Sequence, residues 1–244
     1  MQFIRSDGAC AKRAEAALKL RSLILSSDHQ HEARRSFDEL LKTLTLCLAD
    51  KHGEVVDAAA RALGCLGAIA RQTTARFFDH IFDIASSPSP PVSMRTGVLK
   101  ALFEMVSVAE VFSLTPFVPS ILERCRHVLE VADIPDVLPP MMHIFRLISQ
   151  RYPSLFIAQF PDVVDVIIGW RLDTAVPSNV HIGISEFITG LHDTWSSCRA
   201  FADELLSKLA SDLTEIASTS TPNGAHSVAA FARLLSIAIF HNLH

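Results

Sequence analysis

A chain of 244 residues with 49% hydrophobic and 20% charged residues, and a formal charge of only −4, has the make-up of a core-forming protein and not of a disordered one. Its best apolar runs, 163–170 and 228–240, are interrupted by Asp165 and Arg233 and fall short of the ~20 residues that a bilayer crossing needs, so no membrane partner is expected. Residues 1–50 hold eight Lys or Arg against seven Asp or Glu, so no basic stripe marks a nucleic-acid footprint and direct nucleic-acid binding is not expected either.

In chain order, residues 1–7 lack the basic-then-apolar pattern of a secretory signal, which points to a cytoplasmic location with the nucleus as a second one. Residues 1–30 are expected to be irregular or to form a capping helix. Asp50-Lys-His-Gly-Glu-Val-Val-Asp57 then reads as an acidic, glycine-containing turn opening an amphipathic helix in which Val55, Ala59 and Leu63 recur at helical spacing. The same register returns along the chain. With Val56 as anchor, Arg13, Val56, Arg95, Leu138, His181 and Ser227 follow one another at 43, 39, 43, 43 and 46 residues, a period within the ~40–47 of HEAT and armadillo arrays. Three residues past each anchor stand Ala16, Ala59, Val98, Met141, Ile184 and Ala230; seven past stand Leu20, Leu63, Leu102, Phe145, Ile188 and Leu234, all apolar.

Partner helices are predicted between these, over about 34–49, 74–85, 116–131, 158–173 and 198–218. Prolines punctuate the pattern as helix starts do: Pro88, Pro90 and Pro91 before the Arg95 helix, Pro135 before Leu138 and Pro177 before His181. Pro139 and Pro140 suggest that the Leu138 helix starts later than the register implies. The expected fold is all-α: a HEAT/armadillo-like α-solenoid of about five helix pairs, wound as a right-handed superhelix and spanning 1–244 as a single array. On this register the chain opens with the second helix of a pair, near Arg13, and reads as a segment of a longer array.

Chemistry is sparse. The five cysteines form no CxxC pair and are expected to be buried free thiols. His31-Glu-Ala-Arg-Arg35 starts like an HExxH zinc helix, but Arg35 replaces the second ligand, and His29 and His31 point to different faces. Gly64-Cys-Leu-Gly67 is the nearest approach to a nucleotide-binding glycine loop, with the wrong spacing and a mid-helix position. No nucleophile elbow appears, Ser149-Gln150 carries little weight, and Arg34, Arg35, Arg124, Arg126 and His127 read as a wetted face. No catalytic, cofactor-binding or metal-binding residues are assigned, and no cofactor is expected.

The most distinctive stretch is Phe160-Pro-Asp-Val-Val-Asp-Val-Ile-Ile-Gly-Trp-Arg-Leu-Asp173, preceded by Arg151-Tyr-Pro. It resembles the N-terminal HEAT region of the phosphatidylinositol-3-kinase-related protein kinase of nonsense-mediated mRNA decay, in which a V-V-D-x-x-x-G-W-x-x-D helix follows a tyrosine-proline turn. Val163, Val164, Asp165, Gly169, Trp170 and Asp173 carry the pattern here, and the likeness continues through Leu191-His-Asp-Thr-Trp195 towards Arg233-Leu-Leu. Physically, Ile167 and Trp170 with Val163 or Val166 would share a packing face, Gly169 would admit a neighbouring helix, and Asp165 and Asp173 would serve as hydrogen-bonding or capping groups.

The resemblance implies a non-catalytic scaffold segment that supports the kinase and docks its regulatory subunits and the rest of the solenoid, while the parent serine/threonine kinase phosphorylates an RNA helicase. The alternative is an independent HEAT adaptor that binds peptides or helices of a protein partner.

Overall fold

The computed structural model describes residues 2–173 and 175–219, and among them every regular element is a helix. The chain divides into two compact units, residues 1–147 and 148–244. The first contains α1 (Gln2–Leu25), α2 (Gln30–Arg35), α3 (Phe37–Cys47), α4 (Gly53–Ala68), α5 (Thr74–Ser86), α6 (Val92–Val108), α7 (Val111–Leu114) and α8 (Val118–Val131). Helix α9 (Leu138–Arg151) runs across the division, and the second unit holds α10 (Pro153–Leu172), α11 (Ser178–Thr189), α12 (His192–Ser197) and α13 (Arg199–Thr219).

The anchor register predicts which positions are buried in each unit. Ala59, Leu63, Val98, Leu102, Met141, Phe145, Ile184 and Ile188 are each no more than 1% exposed. At the start the register slips by one: Ala16 is exposed, and α1 buries Cys10, Ala17 and Ile24 instead. The stretch 2–25 is one continuous helix. Ser227, Ala230, Leu234 and Arg233-Leu-Leu lie outside the described residues.

In the first unit α4 packs between α1 and α6, α3 lies on α4, α5 on α6, and α8 on α5. Glycine makes the α4–α6 contact close. A Cβ added to Gly64 would stand 2.4 Å from the Ala101 carbonyl oxygen and 2.6 Å from the Glu104 Cβ; one on Gly67 would stand 2.6 Å from the Phe77 ring. The polar groups tie successive helices together. Arg13 on α1 bonds Asp50 in the turn before α4 at 2.9 Å, and Arg95 on α6 bonds Asp133 in the loop after α8 at 2.7 Å. Arg95, 2% exposed, also directs its Nε to the Ala85 carbonyl near the end of α5, where helix carbonyls lack partners. Arg34 does the same for the Ile69 carbonyl after α4.

Between α3 and α5, Thr45 Oγ1 donates to the Leu41 carbonyl at 2.7 Å, so the 2.8 Å contact with His80 has the imidazole Nε2–H as donor. Burial pushes the His80 pKa below its ordinary 6.5, against the opposing charge of Asp83. The unfolded chain therefore binds more protons just below pH 6.5, and the contribution of neutral His80 is present above that value and lost as pH falls through the folded value. The midpoint of urea unfolding, followed by circular dichroism, is expected to drop between pH 7 and pH 5. His80→Gln should flatten that part of the profile.

Prolines fall at helix starts as expected: Pro91 and Pro177 are the residues before α6 and α11, and Pro135 opens the 3-10 turn Pro135–Val137 that leads into α9. The late start expected of the Leu138 helix is what the structure has: α4, α6 and α11 begin three residues before their anchors, whereas α9 begins at Leu138 itself, behind the 3-10 turn, and places Pro139 and Pro140 in its first turn, where no intrahelical N–H bond is needed. Helix α10 begins at Pro153, earlier than predicted, and so encloses Pro161. That proline cannot bond the Ile157 carbonyl one turn back, and the Cys198 thiol sits 3.9 Å from the oxygen as a weak substitute donor.

Tyr152, 5% exposed, precedes α10, and among the described residues its hydroxyl has no hydrogen-bond partner. An unpaired buried hydroxyl costs about 1–3 kcal/mol of desolvation. Tyr152→Phe is accordingly expected to leave stability unchanged or raise it by about 1 kcal/mol in urea unfolding.

Candidate functional site

The motif of residues 163–173 lies on the second half of α10. Its buried stripe runs Phe156, Phe160, Val163, Val164, Ile167 and Ile168 at three- and four-residue spacing, so Val163 and Val164 are core side chains. Asp165 is exposed. Asp173 follows the last turn of the helix; its Oδ1 accepts the Ala175 N–H at 2.8 Å and its carbonyl lies 3.0 Å from His181 Nε2, which fixes the turn into α11.

Two expectations about this helix are corrected. Gly169 is exposed and, among the described residues, nothing lies within 4 Å of a Cβ built on it, so it makes room for none of the described helices. Trp170 is half-buried at the edge of the stripe and is not a core anchor. With open space and no left-handed backbone at Gly169, Gly169→Ala should stabilise α10 by about 0.5–1 kcal/mol through backbone entropy alone. A thermal melt checks this; a lowered midpoint would contradict it.

The core tryptophan of this unit is Trp195, 2% exposed and carried by the six-residue α12. Its ring meets Phe160 edge-on at 4.7 Å and stacks on Phe201 at 6.3 Å, and its Nε1–H donates to the Ile188 carbonyl at 2.9 Å, satisfying an end of α11. Helical periodicity does not single it out, because α12 is too short to have any.

Elsewhere the suspected chemistry dissolves into packing. Gly64 and Gly67 lie inside α4, against α6 and Phe77. His31 and Arg35 sit on the single short helix α2, and among the described residues no three His, Cys, Asp or Glu side chains are grouped to hold a metal. The cysteines are free thiols, with Cys10, Cys65 and Cys125 buried and Cys47 and Cys198 partly so. Burial pushes the Cys65 thiol up to about 11 and raises Cys125 as well, so neither offers a thiolate near neutral pH. Arg124 bonds Asp79 of α5 at 2.7 Å and lies over the Phe82 ring, and Arg126 and His127 turn towards Glu130.

One surface was not singled out by motif. Where α1, α4 and α6 lie side by side, a cleft of about 390 Å³ is lined by Arg21, Asp57, Arg61, Lys100, Phe103 and Glu104. Arg21 reaches Glu104 Oε1 through Nη2 at 2.8 Å and Nε at 3.2 Å, and Lys100 reaches Asp57 at 2.6 Å. The register carried the signal: Arg61 and Lys100 both stand five residues past their anchors, on the side of the helix away from the seam.

These features define a protein whose described residues form only helices, and whose distinctive side chains serve the core and the helix ends. Its sequence is similar to serine/threonine-protein kinases named SMG1: the zebrafish (Danio rerio) protein is 23% identical over 206 residues, 83% of this chain, and the Drosophila melanogaster protein is 24% identical over 177 residues, 72% of it. The likeness carried by residues 151–195 is thus a likeness to a region of SMG1 kinases that extends over most of the chain. That region makes up 6% of the zebrafish protein and 5% of the fly protein. No protein-family model matches. Among solved structures, an engineered protein from the Northeast Structural Genomics Consortium aligns over 92% of this chain and 98% of its own at 15% identity, with a TM-score of 0.46.

Proposed function

We propose that this chain is a HEAT-type solenoid segment of an SMG1-type kinase, non-catalytic in itself, which supports the kinase and docks its regulatory subunits in nonsense-mediated mRNA decay in the cytoplasm. The observation that carries the reading is the similarity to a small region of SMG1 kinases across 72–83% of this chain. The helical packing agrees with it. Side chains seven residues past the anchors are buried in each unit, at Leu63, Leu102 and Phe145 in the first and Ile188 in the second, which is the burial that a stacked-helix reading requires.

The buried groups favour support over chemistry. Arg95 is spent on the Ala85 carbonyl and Asp133, and Trp195 on the Ile188 carbonyl; each spans two elements and none converges with a second reactive group in a pocket. Deleting this segment from a full-length SMG1-type kinase should abolish co-purification of regulatory subunits while leaving phosphorylation of a short peptide substrate intact. Loss of peptide phosphorylation with regulatory subunits still bound would overturn the proposal.

A further inference from the structure

Nothing in the packing of the first unit calls for the charged cleft between α1, α4 and α6. The Lys100–Asp57 pair is half-exposed at both ends, 50% and 51%, so it contributes little stability and exchanges partners readily. Arg61 is exposed, and among the described residues no carboxylate pairs with it. Three cations face two carboxylates around this cleft, leaving one positive charge uncompensated beside the half-buried Phe103 ring, which meets His143 of α9 edge-on at 6.1 Å.

We propose that this cleft docks an acidic peptide segment of a partner protein. A carboxylate of the peptide bonds Arg61 and draws Lys100 from Asp57, while an adjacent apolar side chain lies against Phe103. Arg61, Lys100 and His143 stand five residues past successive anchors, Val56, Arg95 and Leu138, so an extended segment crossing α4, α6 and α9 meets one such side chain per helix. The volume of about 390 Å³ suits side chains of a peptide. A nucleic-acid backbone is a poorer match, because its evenly spaced phosphates need a continuous cationic track, whereas this cleft offers a single uncompensated positive charge beside an aromatic ring. The proposal takes from the docking-scaffold reading only that the partner is a protein.

The test uses the whole chain and a fluorescein-labelled peptide of repeated Glu-Glu-Leu triplets, with fluorescence anisotropy as the readout and a Lys-Lys-Leu peptide and oligothymidylate as comparisons. The Glu-Glu-Leu peptide should bind saturably, and Arg61→Glu should weaken it by about tenfold or more. Arg76→Glu, the same change of charge at the half-exposed Asp38 pair on α5, should leave binding unchanged. Circular dichroism establishes that both variants stay folded, as exposed positions allow. Absence of peptide binding, equal loss in both variants, no loss with Arg61→Glu, or tighter binding of the Lys-Lys-Leu peptide or oligothymidylate would each overturn the assignment. Those failures would leave regulatory-subunit recovery by the full-length kinase untouched, so this surface and the scaffold role fall separately.

Discussion

Gly64→Ala should destabilise the first unit by about 3 kcal/mol, even though alanine is the better helix former by about 1 kcal/mol. The added methyl has nowhere to go. Its nearest neighbours are the Ala101 carbonyl oxygen at 2.4 Å, the Glu104 Cβ at 2.6 Å and the Met105 backbone nitrogen at 2.9 Å, none of which can rotate away as the far end of a flexible side chain would. Helices α4 and α6 must separate, and Leu63, Leu66, Leu102 and Met105, all no more than 2% exposed, then lose contacts together. Urea unfolding followed by circular dichroism reads the loss, because both tryptophans lie outside this unit. A change below about 1 kcal/mol would mean that α4 and α6 are not in this contact. The opposite sign expected at Gly169, where the same substitution meets open space, makes the two glycines a matched pair.

Trp195→Ala should cost about 4–5 kcal/mol in the second unit, against about 1–2 kcal/mol for Trp170→Ala. Trp195 fills the space between Phe160 and Phe201, and its removal also leaves the Ile188 carbonyl without its donor. Trp170 is half-buried, so truncation opens no closed cavity. The two single variants, compared by circular dichroism and urea unfolding, decide the order. Equal losses, or a larger loss at Trp170, would contradict the packing described for α10 and α12.

Much of the fold was legible because helical patterning is local. Val55, Ala59 and Leu63 on one turn-spaced stripe already specify which face of α4 is buried, and a period near 43 repeats that information at Val98 and Leu102, Met141 and Phe145, Ile184 and Ile188. Helix starts were legible from proline for the same reason, since the missing N–H acts on the chain where it stands. Elements without periodicity were not legible. Helix α12 is one and a half turns long, so nothing local announces that Trp195, and not Trp170 in a strongly patterned helix, anchors the core.

Long-range polar contacts were hidden likewise. The acceptors of Arg95 lie 10 and 38 residues away, and the Cys198 thiol meets a carbonyl 41 residues back. Gly169 misled because a glycine in a helix looks the same in sequence whether it makes room for a neighbour, as Gly64 does, or faces open space. The cleft was half-legible: two of its cations, Arg61 and Lys100, share a register, but that register marks the wetted side of the helices, where charge is ordinary and only the three-dimensional pairing distinguishes Arg61 from Arg21 and Lys100.

That the anchor register sets which helix faces are buried within each unit is tested most directly by residue-resolved amide hydrogen exchange on the intact chain. The slowest exchange is expected around Ala59–Leu63, Val98–Leu102, Met141–Phe145 and Ile184–Ile188, recurring with the sequence period, with faster exchange at Leu18 and Phe112, which are exposed. Protection that does not follow this period, or that is strongest on the exposed faces carrying Arg61 and Lys100, would contradict it.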